Sequence, residues 1–320
     1  LQRRGVSRIQ VMNWHRKWYY LKIWGRNLLS LKALSAVLSS FGALWLSVQI
    51  TTFFFQHTPI PNIIRGYWLI FAILGLSIAV FLCRPQLTVA CKLKERDVTI
   101  EIAIGDLFST PGALIIGTNT TFDTLISRNL ISEKSIQGLF TRQYYGDSMQ
   151  MDAEIARGLE SIEYKTLEGK RNGKANKYPM GTVVRLSPKE RTAYLVAIAD
   201  LNEHGVASSS FDSLKESLAK LWVFIGNRGL KEQLAMPVLG TGFSRLPQPR
   251  EEIVREIIKS FVAACSEISF CDKLTIVLSP YDVAEHQIMI QDLGSYLNHI
   301  CRYTTFSIRN GSTVIGTPIK

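Results

Sequence analysis

Aspartate and glutamate are missing from the first ninety residues of this 320-residue chain, which carry ten lysines and arginines. Of the formal charge of +11, +10 therefore belongs to those ninety residues. Residues 91–320 hold 27 basic against 26 acidic side chains and are close to neutral. That distribution argues against the larger part being a basic nucleic-acid binder, and no nucleic-acid partner is expected. Cysteine is scarce: Cys83, Cys91, Cys265, Cys271 and Cys301, with no CxxC pair. An odd count in that spacing argues against a zinc site or a disulfide framework and fits reduced cytosolic thiols. No metal and no cofactor are expected. The GxxxxGK[ST] spacing of a nucleotide P-loop is also missing. Disorder is excluded by a hydrophobic fraction of 47% with 10% aromatics.

Long apolar runs, by contrast, are present near the start. Residues 33–55 form 23 positions without charge. At a rise of about 1.5 Å each they reach roughly 35 Å as a helix, enough for a hydrocarbon core of about 30 Å with tilt. Residues 67–83 form a second uncharged run of 17, roughly 25 Å by the same rise. Pro59 and Pro61 break the chain between them. The pattern predicts a transmembrane hairpin over 33–90. A cleaved signal peptide would begin earlier, be shorter and not be followed by a second run. Eight basic residues precede the first run, Arg84, Lys92, Lys94 and Arg96 follow the second, and the loop holds only Arg65. The positive-inside rule then places both termini in the cytoplasm of a multi-pass inner-membrane protein.

The flanking segment 1–32 is basic and aromatic. Trp14, Trp18, Leu21, Trp24, Leu28 and Leu31 recur at helical spacing, with Arg16, Lys22 and Arg26 elsewhere on the wheel. It reads as an interfacial helix on anionic headgroups or as an ordinary aromatic belt. Within the runs, Ser35, Ser39, Ala43 and Ser47 form one small-residue stripe, and Ala72, Gly75 and Ala79 another. Such faces pack helices closely, either within one chain or between copies in a homo-oligomer. Neither run holds an ionisable residue, so no transport path is visible.

Residues 91–303 read as one cytosolic α/β domain, followed by an irregular tail over 304–320. Strand-like runs lie at 98–104, 113–118, 182–186, 193–199, 234–239 and 274–279. Most are β-branched and apolar, as fits strands covered on both faces. Helical patterns over 152–164, 211–227, 248–267 and 282–300 alternate with them. Together they predict a largely parallel sheet between helix layers, a three-layer α/β/α domain. The basic stretch Gly169–Lys177 reads as a surface loop.

Three constellations can carry chemistry. Gly240-Thr241-Gly242-Phe243-Ser244-Arg245 follows an apolar strand and precedes a helix. Its amides can face an anion such as a phosphate; the alternative is a plain tight turn. Asp106, in Gly105-Asp106-Leu107, closes an early strand. It can accept from an adenine amino group or cap a short helix. Asn119, in Gly117-Thr118-Asn119-Thr120-Thr121, can bond ribose hydroxyls or form an Asx-turn. Catalytic signatures are thin. His15 and His57 fall in the membrane region, and His286 and His299 fall on the last helical pattern. His204 lies at a plausible sheet edge, and no Ser/His/Asp or Cys/His set can be assembled from spacing.

In their order along residues 95–300 these constellations resemble the macro domain, an ADP-ribose-binding α/β/α fold. Gly105-Asp106-Leu107 is similar to that family's adenine-reading Gly-Asp-Ile, and Asn119 to the second Asn of its Asn-Ala-Ala-Asn strand end. Gly240–Phe243 is similar to its diphosphate loop. The resemblance implies that Asp106 holds adenine, Asn119 the distal ribose and the Gly240–Phe243 amides the diphosphate. The family's first Asn falls on Ile116. Its glycine-rich loop is replaced by a segment containing Ser135-Ile136-Gln137-Gly138, where Gln137 and Gly138 would form a substitute pocket wall. That departure bears on hydrolysis more than on binding, so no catalytic residue is assigned. A hairpin joined to such a domain resembles the membrane-anchored macro-domain effectors of bacterial Thoeris anti-phage systems. The resemblance implies a partner TIR-domain enzyme that makes an ADP-ribose-derived signal, such as a histidine conjugate. It further implies a bilayer target and injury to the host membrane by oligomers. The alternative is a membrane-tethered ADP-ribosyl hydrolase.

Overall fold

The computed structural model describes residues 17–59, 63, 66–94, 96–126, 130–146, 148–170, 172–201, 207–240, 246–267, 269–309 and 312–316. The chain divides into two compact units: Leu1–Gln86 with Val283–Glu285, and Leu87–Asp282 with His286–Lys320.

In the first unit, residues 17–28 are helical. Two longer apolar helices follow, α1 (Leu31–Phe54) and α2 (Trp68–Leu82). By length and composition α1 is the one helix among the described residues able to cross a bilayer. With 15 residues, α2 reaches only about 22 Å. The two pack along a seam that buries Ala33 and Ser40 of α1 and Gly75 and Ala79 of α2. A Cβ on Gly75 would stand 3.1 Å from Phe41 Cζ and 3.2 Å from Leu44 Cδ1, so the bare backbone is what lets α1 come so near. Ser40 is satisfied inside the seam, its hydroxyl donating to the Ala36 carbonyl at 2.6 Å. The stripe Ser35, Ser39, Ala43 and Ser47 is exposed instead. It takes no part in packing α1 on α2.

The second unit is built on an eight-stranded sheet. Its strands are β1 (Thr88–Lys92), β2 (Thr99–Ile104), β3 (Ala113–Asn119), β6 (Val183–Leu186), β7 (Ala193–Leu201), β8 (Ala207–Ser208), β9 (Leu234–Pro237) and β10 (Lys273–Leu278). A separate ribbon pairs β4 (Lys165–Thr166) with β5 (Asn176–Lys177). The spatial order is β1-β2-β10-β9-β3-β7-β6, with β8 on β7. The five central strands from β2 to β7 are parallel, and β1 and β6 are antiparallel edges. Ala113 to Ile116 of β3 are fully buried, as a strand covered on both faces must be. Side-chain alternation assigns the layers. Leu195 joins Ile116, Phe140, Met151 and Ile155 in a core with α3 (Ile136–Phe140) and α4 (Ser148–Leu159). Its neighbour Tyr194 turns to the other face, edge-on to Phe224 of α5 (Phe211–Arg228). There Trp222 packs edge-on to Phe261 of α6 (Arg250–Glu267) and stacks on Phe270. The three-layer α/β/α domain expected from the sequence is present.

Three local expectations are corrected. The tail over 304–320 contains an antiparallel hairpin, β11 (Thr305–Arg309) with β12 (Ser312–Gly316). Asn310-Gly311, between two alternating segments, is the sequence signal for it. The helix expected over 282–300 is two, α7 (Pro280–Glu285) and α8 (Ile290–Tyr303). The chain breaks where Gln287 takes φ +54°. Finally, Gly169–Lys177 is no free surface loop, because the Lys170 side chain is only 2% exposed. Its carboxylate partner, Asp123, is buried as well.

Candidate functional site

Because β2, β10, β9, β3 and β7 run parallel, their carboxyl ends share one edge, the place where open α/β sheets bind ligands. That edge gathers Asp106 after β2, Gly240 beyond β9, Asn119 at the end of β3 and Asp200 in β7.

Asp106 accepts from the backbone N–H of Phe108 at 3.2 Å and from Ser109 Oγ at 2.9 Å. It thereby caps the 3-10 turn Leu107–Ser109. The Gly105 N–H donates to the Leu278 carbonyl at 2.9 Å, which holds this corner beside the end of β10. Beyond β9, Gly240 takes φ +75°, and a Cβ there would collide with Leu246. The left-handed φ is what favours glycine here, and any side chain would also push the Leu246 tip aside. The Leu246 N–H donates back to the Gly240 carbonyl at 3.2 Å. Thr241, Gly242, Phe243, Ser244 and Arg245 lie outside the described residues, as does His204.

At the end of β3 the register slips: Thr118 pairs with Ala197 and Asn119 with Ala199. This bulge starts a tight turn over 119–124. Asn119 Oδ1 accepts from the backbone N–H groups of Thr121 at 3.2 Å and Asp123 at 3.1 Å. Asn119 Nδ2 donates to Asp123 Oδ2 at 3.3 Å. Asn119 thus makes an Asx-turn, and Asp106 a cap. Phe122 sits at the apex with φ +50°, a costly conformation for an aromatic residue, of order 1–3 kcal/mol. Its ring is fully buried, edge-on to Tyr178. Gln137, on α3, donates from Nε2 to the Asp123 carbonyl at 2.8 Å. The Gly138 N–H is spent on Ser135, the N-cap of α3, at 3.0 Å. Gln137 therefore reaches the turn, while Gly138 shapes the helix that carries it.

The sequence reading missed the counter-ions of this turn. The segment from the end of β4 through β5 brings three lysines onto three carboxylates. Lys170 pairs with Asp123 at 2.8 Å, Lys174 with Asp152 at 2.6 Å and Lys177 with Asp200 at 2.7 Å. Lys174 Nζ also donates to the Phe122 carbonyl at 2.7 Å. The segment is a strap that ties β3, α4 and β7 together beside Asn119. Lysines at spacings of four and three in an otherwise polar run were the available signal. Chemically, the edge offers hydrogen-bond donors and acceptors in fixed directions. Among the described residues no three metal-ligating side chains converge.

Strand order, edge and turn now stand together, and comparison with known proteins decides the family. The sequence model described as Thoeris protein ThsA, Macro domain, matches residues 100–279, more than half of the chain. The chain belongs to the ThsA macro-domain family. A ThsA of Bacillus amyloliquefaciens (strain Y2) is 26% identical over 151 residues, 46% of this chain and 50% of that protein. The match thus spans about half the length of that ThsA. Among solved structures, the Oceanobacillus iheyensis macrodomain with ADP is similar at 16% identity and a TM-score of 0.42, covering 68% of this chain and 97% of that one. The same macrodomain with MES bound gives 15%, 0.43, 66% and 98%.

Proposed function

We propose that this ThsA-type macro domain binds an ADP-ribose derivative at the carboxyl edge of its sheet and acts as a receptor rather than a hydrolase. The family match over residues 100–279 carries the reading. Asp106, Asn119 and Gly240 at one edge support it. So does the engagement of Asn119, whose carbonyl oxygen is already occupied by backbone donors and is poorly placed to orient an attacking water. Asp106 would take the adenine amino group, Asn119 the distal ribose and residues 240–245 the diphosphate. The signal would come from a TIR-domain enzyme, and an amino-acid conjugate such as histidine-ADP-ribose is one form of it.

The first unit would be the membrane half. Leu34, Leu38, Trp45, Leu46, Phe53 and Phe54 of α1 are all more than half exposed, which suits a lipid environment better than water. Both termini and the macro domain would lie in the cytoplasm. Binding would favour association of the hairpins through the exposed stripe Ser35, Ser39, Ala43 and Ser47, and the oligomer would disrupt the bilayer in anti-phage defence. Coupling of about 1–3 kcal/mol between ligand and association is enough for such a switch.

Calorimetry of the full chain in detergent with ADP-ribose tests the receptor half. Heat with saturation is expected, and the lack of any heat or thermal shift would end the reading. For the membrane half, Ser39→Leu is expected to abolish toxicity in cells while binding persists. Undiminished toxicity would rule out association through that stripe.

A further inference from the structure

Lys170 and Asp123 are 2% and 1% exposed. The Lys170 ammonium is saturated: it donates to Asp123 Oδ2 at 2.8 Å, Thr121 Oγ1 at 2.9 Å and the Lys174 carbonyl at 2.7 Å. Asp123 is equally occupied. Its Oδ1 accepts from the Lys174 N–H at 2.7 Å, and its Oδ2 accepts from Lys170, from the Thr121 hydroxyl at 2.5 Å and from Asn119 Nδ2 at 3.3 Å. A buried ion pair adds little to stability compared with an apolar pair of the same shape. Its value here is directional.

The two backbone N–H donors on Asn119 Oδ1 fix that atom as the oxygen. Asp123 Oδ2 fixes the other end as the nitrogen. Among the described residues, the one capacity of the carboxamide left without a partner is the second hydrogen on Nδ2. Asn119 can therefore offer one N–H and no acceptor. Without the Lys170 charge, the buried Asp123 carboxylate would keep only neutral donors, the Lys174 N–H, the Thr121 hydroxyl and Asn119 Nδ2, and could swing away from Asn119. With its acceptor displaced, the Nδ2 end would be free and the carboxamide could turn by 180°. The left-handed Phe122 between the two residues would lose a restraint as well.

We propose that Lys170 is a positioning residue for ligand recognition. Acting through Asp123, it locks the Asn119 carboxamide so that the site presents a single amide N–H to an oxygen acceptor on the ligand's terminal sugar. This rests on the ADP-ribose reading above. It goes further by assigning a residue outside the ligand contacts and the polarity of the contact it controls. The lock is a case of preorganisation: the amide is oriented before the ligand arrives, so binding does not have to order it.

The test compares ADP-ribose with ADP, which lacks the terminal sugar, on the full chain in detergent micelles. Lys170→Met/Asp123→Asn removes both charges together and leaves no buried ion alone. By calorimetry and competition its affinity for ADP-ribose is expected to fall about tenfold, with ADP unchanged within about twofold. Thr121→Val, which removes the hydroxyl that bridges the pair and also lies 3.1 Å from Asn119 Oδ1, is expected to shift the same ratio in the same direction by about threefold. It decides the matter if the double variant does not melt cooperatively. A parallel loss for both ligands marks a merely structural role and overturns the proposal, as does no change in either. If the unaltered chain binds neither nucleotide, the receptor reading itself has failed, an outcome visible before any variant is made.

Discussion

The two units use the same kinds of apolar side chain in opposite ways. Trp45 of α1 is 66% exposed and Phe53 72%, whereas Trp222 of α5 is 1% exposed. Both helices are long, 24 and 18 residues, but only α5 alternates Leu214, Leu218, Leu221 and Trp222 with charged positions. On the proposed membrane reading, the exposed apolar side chains of α1 face lipid rather than water. A helix apolar on one side needs a sheet. The difference teaches that the first unit's stability is tied to its surroundings, while that of the second is internal.

The largest effect that can break this contrast is a core truncation. Trp222→Ala is expected to cost about 3–5 kcal/mol in urea unfolding of the domain, because Phe261 and Phe270 lose their shared partner. Trp45→Ala should leave the domain transition within about 0.5 kcal/mol. Equal losses would mean that the two regions are not energetically distinct.

A second test sharpens the internal character of the domain through pH. Burial pushes the Cys265 thiol up to about 12, an effect only partly offset by Arg96. A thiol in the unfolded chain ionises near 9, so raising the pH between about 9 and about 12 stabilises only the unfolded state. The unfolding free energy should therefore fall across that window, by a few kcal/mol at most, and be restored at neutral pH. Cys265→Ala should make the slope shallower, the remainder belonging to Cys271, Cys301 and tyrosines such as Tyr145, which burial also raises. A profile that stays level would show that the thiol is wetter than its surroundings suggest.

Within the hairpin, Ser40→Leu overfills the seam and should cost about 1–3 kcal/mol, read as faster hydrogen exchange in α2. Ser39→Leu, on the exposed side, should leave that exchange unchanged. The smallest effect belongs to the surface of α5. Lys215→Ala breaks an exposed pair with Asp212 at 3.1 Å and is expected to change stability by less than about 0.5 kcal/mol.

How far the sequence foretold the molecule follows from the same contrast. Strands buried on both faces announce themselves as apolar runs, so Ala113–Asn119 and Lys273–Leu278 were legible, and Thr99–Ile104 was legible by its alternating isoleucines. The edge strand Thr88–Lys92 was not. It has one half-covered face and carries a cysteine and a terminal lysine. Helix α4 begins at Ser148, four residues before the expected 152, because Met151 is a core residue in a stretch of mixed polarity. At the site, Asp106 and Asn119 could be singled out as residues ending strands. Lys170 could not, since a lysine in a run of glycines and polar residues signals solvent unless its carboxylate, 47 positions earlier in the chain, is known to lie beside it.

The strap also has a bearing on proteolysis. Lys170-Arg171 is a pair of residues that trypsin would ordinarily choose, within a stretch that looks like an accessible connector. The protease needs the lysine side chain in its own specificity pocket, and that side chain is sealed against Asp123. Resistance at this bond in the intact chain, and rapid cleavage once Asp123 is neutralised, would turn a commonplace digestion into a direct gauge of how often the strap comes undone.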